Sequence, residues 1–140
     1  MIDLEFNTKN ICLVTPQAIA AGATTTVGRT VESKGARGVK IRVLARGVAS
    51  GKAVTFVLKG GDTYATRTGT TLKTVAPVAN SAGIIDATYY LKDPIQVLAF
   101  ITGEATAAAD AGATVVASVD VEMTGLRESS NLTETPELYA

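Results

Sequence analysis

A chain of 140 residues with 13 basic and 13 acidic side chains, no histidine, no tryptophan and a single cysteine leaves little room for ordinary catalysis. Histidine is the usual acid/base and metal-binding group near neutral pH. An enzyme made from this set would need two tuned carboxylates, an activated Lys or Tyr, or a cofactor.

The lone Cys12 excludes an intrachain disulfide, so the chain does not read as a stapled secreted module. A 46% hydrophobic share with 5% aromatic residues implies a core of small and β-branched side chains. The length suits one domain over residues 1–140. Residues 1–6 (MIDLEF) carry acids where a signal peptide is basic and then apolar. No apolar run approaches the roughly 18 residues that span a bilayer. The expectation is a soluble protein made in the cytoplasm, with no membrane partner.

The net charge of zero conceals a segregation. Residues 29–73 hold ten basic groups against two acids, whereas residues 74–140 hold two basic groups against nine acids. Two readings stay open. Basic and acidic strands lie side by side and neutralise each other, or the molecule is dipolar, with a basic face for one partner and an acidic face for another.

Residues 1–20 mix apolar and polar groups without strict alternation. Within them Ile11-Cys12-Leu13-Val14 is strand-like, and Cys12 reads as a small buried hydrophobe. A Thr-rich strand over 24–33, broken by Gly28, looks like a sheet edge. Residues 39–46 alternate, with Val39, Ile41, Val43 and Ala45 on one face and Lys40, Arg42 and Arg46 on the other. Residues 47–51 supply turn chemistry, and Val54, Phe56 and Leu58 form the apolar face of the next strand. Gly60-Gly61-Asp62 then reverses the chain into 63–68, so these three runs read as a basic antiparallel meander.

Residues 84–91 carry apolar groups on both faces and lead to Asp93-Pro94, where proline keeps its predecessor extended. Such a strand is central with a covered outer face, or lies at a subunit interface. Tyr89 and Tyr90 point to opposite sides, one toward the core and one toward a partner. In 95–101, Ile95, Val97, Ala99 and Ile101 oppose Leu98 and Phe100. The Ala-rich stretch 105–113 reads as a small connection, and 114–123 alternates with Val115, Ala117, Val119, Val121 and Met123 inward. About eight strands at this spacing, with no capped helical period, predict an all-β, single-domain antiparallel β-sandwich with jelly-roll character. Residues 1–20 and 126–140 read as extended arms, with Leu132, Leu138 and Tyr139 as anchors on a neighbour.

No motif carries chemistry. Gly47-Val48-Ala49-Ser50-Gly51-Lys52-Ala53 resembles a phosphate-binding loop but has one residue too few between its glycines and Ala53 where Ser or Thr reaches magnesium. Asp120 and Glu122 share a strand face without the surroundings of a calcium site or a glycosidase. The basic stretch 34–42 lacks the aromatic platform of a single-strand binder, so no direct nucleic-acid contact is expected. Asn131-Leu132-Thr133 matches a glycosylation sequon without a secretion signal. No catalytic residue, metal or cofactor is expected.

Residues 38–59 (GVKIRVLARGVASGKAVTFVLK, taken as a hairpin), 89–101 (YYLKDPIQVLAFI) and 114–125 (TVVASVDVEMTG) resemble the small capsid cement, or decoration, proteins of tailed bacteriophages. Among these, the chain resembles the jelly-roll cement protein of the Bordetella podophage type. The resemblance implies a non-enzymatic virion protein, made in the host cytoplasm, on the capsid exterior. Its partners would be a major capsid protein of HK97-type fold and further copies of itself, as dimer or trimer. Contact is expected at Lys40, Arg42, Arg46 and Tyr90. The alternative is a carbohydrate- or ligand-binding β-sandwich module of a phage tail or fibre.

Overall fold

The computed structural model describes residues 9–22, 25–32, 38–91, 99–112 and 114–124. Its strands in chain order are β1 (Lys9–Ala18), β2 (Thr25–Val27), β3 (Val31–Glu32), β4 (Gly38–Arg46), β5 (Val54–Gly61), β6 (Thr70–Val75), β7 (Ile85–Leu91), β8 (Phe100–Ala107) and β9 (Val116–Thr124). They form two antiparallel sheets, ordered β1-β9-β4-β7 and β2-β8-β5-β6, with β3 also paired to β8. There is no helix among the described residues.

β2 and β3 are one strand interrupted at Gly28. Val27 pairs with Glu104 and Val31 with Ile101, leaving one extra residue between them. Gly28 donates its N–H to the Gly103 carbonyl at 2.7 Å, and a Cβ there would lie only 2.7 Å from the Leu13 carbonyl oxygen. Counted this way, every connection except β5–β6 crosses from one sheet to the other. That double-sheet arrangement is a jelly roll, as the spacing predicts.

The inward positions close a core between the sheets. Val39, Ile41 and Val43 of β4 face Val119, Val121 and Met123 of β9 across cross-strand pairs. The second sheet contributes Val54, Phe56, Leu58, Ile101 and Ala105. The clean alternation expected over 114–123 is present, with all five inward residues buried.

Several local expectations change. β4 and β5 lie in opposite sheets, so there is no basic meander and residues 38–59 are not a hairpin. The 47–53 segment is a crossing between sheets, turned by Gly47 and Gly51 at φ 73° and 79°. Residues 63–68 form a turn, and the strand that follows β5 and pairs with it is β6. Alternation assigns faces but carries no information about which strand lies alongside.

Ala105 and Ala107, expected in a connection, belong to β8, which is central in the second sheet and fully buried at both positions. Among the described residues β7 is an edge strand, neither central nor covered: Asp86, Thr88 and Tyr90 face outward while Ile85, Ala87, Tyr89 and Leu91 face the core side. In β1 the register jumps from Cys12–Asp120 to Val14–Val119, a bulge that buries both Leu13 and Val14. Cys12 precedes the bulge on the outward face and is half-exposed, not a core residue. Residues 9–18 of the expected N-terminal arm form β1. The 95–98 stretch and the C-terminal arm lie outside the described residues.

Candidate interaction surface

The outer face of the first sheet is built from the outward half of each strand, and cross-strand register sets its rows. Lys40 lies between Glu122 and Tyr90, and Arg42 between Asp120 and Thr88. Leu44 lies between Ser118 and Asp86, and Arg46 pairs with Val116. The four described residues expected to make contact, Lys40, Arg42, Arg46 and Tyr90, therefore share one face. Leu132, Leu138 and Tyr139 lie outside the described residues.

Two of those cations are already engaged. Lys40 Nζ is 3.2 Å from Glu122 Oε1. Arg42 makes a two-pronged contact with Asp86, Nε to Oδ1 and Nη2 to Oδ2, both at 3.1 Å. That hydrogen bonding holds the Asp86 carboxyl below the ordinary carboxylate range and pushes the Arg42 guanidinium up. On the second sheet Lys59 meets Glu104 at 3.1 Å, and in the crossing loops Lys52 meets Asp110 at 2.8 Å. Much of the charge segregation is thus neutralised between neighbouring strands and loops. Lys52, the lysine of the phosphate-loop lookalike, is taken by Asp110, and no helix follows it.

Arg46 and Tyr90 differ. Arg46 has no ionic partner among the described residues, and Tyr90 is 65% exposed while Tyr89 packs on the core. Around Arg46 the face turns apolar. Pro16, Leu44, Ile84 and Val116, rimmed by Arg46 and Asp86, line a shallow groove of about 310 Å³. Cys12 lies beside Asp120; burial first, and then the Asp120 carboxylate, push its thiol up, away from nucleophilic use.

A second exposed feature went unread in the sequence. In the 62–69 turn the Arg67 guanidinium lies 4.1 Å from the Tyr64 ring centroid, and its Nη1 donates to the Tyr64 carbonyl at 2.9 Å. The Tyr64 ring also meets Phe100 edge-on at 6.3 Å. Glycines at 60, 61 and 69 flank the segment, and that spacing is the signal that marks a long turn there. Among the described residues, no cluster of three or more Cys, Asp or Glu side chains is placed to hold a metal ion.

No protein-family model matches the sequence, and the comparison with curated proteins finds no match. Solved structures do match in fold. VP2 in the subviral particle of infectious bursal disease virus superposes with TM-score 0.52 at 11% identity, over 84% of this chain and 32% of that one. A chain from the Gx strain of the same virus gives 0.52 at 12%, over 89% and 34%. The K3 cleaved adhesin domain of Lys-gingipain from Porphyromonas gingivalis w83 gives 0.50 at 10%, over 79% and 73%. The chain spans about a third of the length of the viral chains it matches. At these identities the likeness is one of β-sandwich fold.

Proposed function

We propose that this chain is a non-enzymatic virion protein that binds the outer surface of a phage capsid and cements neighbouring major-capsid-protein subunits of HK97-type fold. The observation that carries the reading is the jelly-roll strand order, a fold also present in a protein of a subviral particle. The exposed surface supports it. The first sheet presents a face whose charges are largely paired, with Arg46, Tyr90 and an apolar groove left over for contact. Such a face gives weak individual contacts, which repetition on a symmetric lattice makes strong. Because Lys40 and Arg42 already hold Glu122 and Asp86, attachment depends more on shape and on Arg46 than on a basic stripe.

The test is copy number by quantitative mass spectrometry on purified particles from a source that makes this chain, with the wild type and Arg46→Glu. Hundreds of copies in simple ratio to the shell protein are expected, with occupancy reduced in Arg46→Glu. Absence from particles overturns the proposal. A second reading, a ligand-binding module of a tail or fibre, draws on the similarity to an adhesin domain. A handful of copies per particle would favour it.

A further inference from the structure

A β-sandwich must protect the outermost strand of each sheet, because an edge strand presents unpaired N–H and C=O groups to any other strand. Three of the four edges here are protected. β1 carries two register shifts and Pro16. The β2–β3 edge is broken at Gly28 into pieces of three and two residues. β6 has a register shift against β5 between Leu58 and Lys59 and bears Lys73. The fourth edge, β7, has none of these devices. Its seven residues, IDATYYL, contain no Pro, Gly or Lys and pair with β4 in unbroken register from Leu91–Val39 to Ile85–Ala45. Among the described residues no strand pairs its other side.

The same strand gathers exposed apolar surface. Four large hydrophobic side chains are exposed among the described residues. Two of them, Tyr90 at 65% and Ile84 at 47%, lie in β7 and immediately before it. Tyr89 and Leu91, on its core-facing side, are only partly covered by the sandwich.

We infer that the free edge of β7 pairs antiparallel with β7 of a second copy of this chain, joining the two first sheets into one across a two-fold axis. The strand is self-complementary when the axis passes through Thr88. Thr88 then lies opposite the partner's Thr88 and Asp86 opposite the partner's Tyr90 on the outer face. On the inner face Ile85 meets the partner's Leu91 and Ala87 meets the partner's Tyr89. Outward residues stay with outward ones, as the two-residue period requires. No like charges meet directly, because Asp86 is the one charged residue of β7 and its charge is already held by Arg42. A strand-to-strand contact of seven residues is small beside a standard interface, so the isolated dimer is weak. The inference deepens the expected self-association by naming the strand edge that carries it, and it does not depend on the virion role.

The test uses the full chain in solution. Sedimentation equilibrium up to about 100 µM, a range that captures weak association, should show a monomer–dimer equilibrium for the wild type. Thr88→Lys adds a charge at an outward-facing position, so the fold should survive by circular dichroism. Like charges across the axis should weaken the dimer about fivefold or more. In a Cys12→Ser background, Thr88→Cys should give a covalent dimer with a short bis-maleimide, while Ser50→Cys, in the crossing turn bonded to residues 79–83 ahead of β7 and away from the axis at Thr88, should not. A monomer throughout the range, a trimer, an unaffected Thr88→Lys dimer, or equal cross-linking from both cysteine positions overturns the inference.

Discussion

The two sheets reach the same packed interior by different means. The first sheet is a wall of repeated medium-sized residues: Val39, Ile41 and Val43 on β4 against Val119, Val121 and Met123 on β9. The second is irregular, with one large ring set over small neighbours. Phe56 is the one fully buried aromatic residue among those described; it pairs with Ala105 and its ring lies over Gly103. A Cβ at Gly103 would come within 2.4 Å of two Phe56 ring atoms, so the missing side chain is the space the ring fills. A chain with so few aromatics closes its core by giving one of them a glycine-floored site. The first sheet spreads its stability over many equivalent contacts, whereas the second concentrates it.

That contrast predicts unequal costs. Phe56→Ala removes the ring and leaves a cavity over Gly103, which should destabilise the fold by about 3–5 kcal/mol. Val119→Ala, equally buried in the first sheet, should cost about 2 kcal/mol. Denaturant titration of the two variants measures both, and equal losses would break the comparison. Gly103→Ala sharpens it from the other side. Overpacking against the ring should cost about 1–3 kcal/mol, and Phe56→Leu should recover part of that loss in the double variant because the two positions touch.

The same contrast explains what the sequence made legible. β4 and β9 were readable because strict alternation of Val and Ile with charged residues is what a half-exposed strand needs. The second sheet hid part of its central strand, since Ala105 and Ala107 look like a loop, when the smallness of Ala105 in fact suits its cross-strand partner Phe56 on β5. Sheet membership was not legible either. Alternation in 39–46 and 54–59 fixed two faces correctly, yet the Gly47 and Gly51 turns carry the chain between sheets, where a meander would have returned it alongside. On the surface, the shared face of Lys40, Arg42, Arg46 and Tyr90 follows from alternation plus the β4–β7 register. The sequence alone could not show that Asp86, 44 residues away, would occupy Arg42.

A smaller effect tests how the second sheet holds its broken edge. Thr102 is the one fully buried polar side chain among the described residues, and its hydroxyl is shared between the Gly28 and Arg29 carbonyls at 3.3 and 3.0 Å. These carbonyls belong to the interruption between β2 and β3. Thr102→Val keeps the volume but leaves the acceptors without that donor, a loss of about 1–3 kcal/mol. Hydrogen exchange should rise first at residues 25–32, and uniform exchange across both sheets would show that Thr102 stabilises the whole fold and not the edge.

The smallest effect belongs to the first sheet's surface. Asp86 and Arg42 are each about half exposed, at 53% and 50%, so water and salt screen their attraction. The hydrogen bonds to Arg42 still lower the Asp86 carboxyl relative to the unfolded chain. A depressed folded value means that the pair stabilises the fold above the ordinary carboxylate range, about pH 4. The contribution is lost as pH falls through the depressed value. Carbon-detected NMR titration should place the Asp86 midpoint below that of an unpaired aspartate, and Arg42→Ala should return it to the ordinary range with little change in neutral-pH stability. A midpoint unmoved by Arg42→Ala would mean that the edge strand β7 is held to β4 by its backbone ladder and core contacts alone.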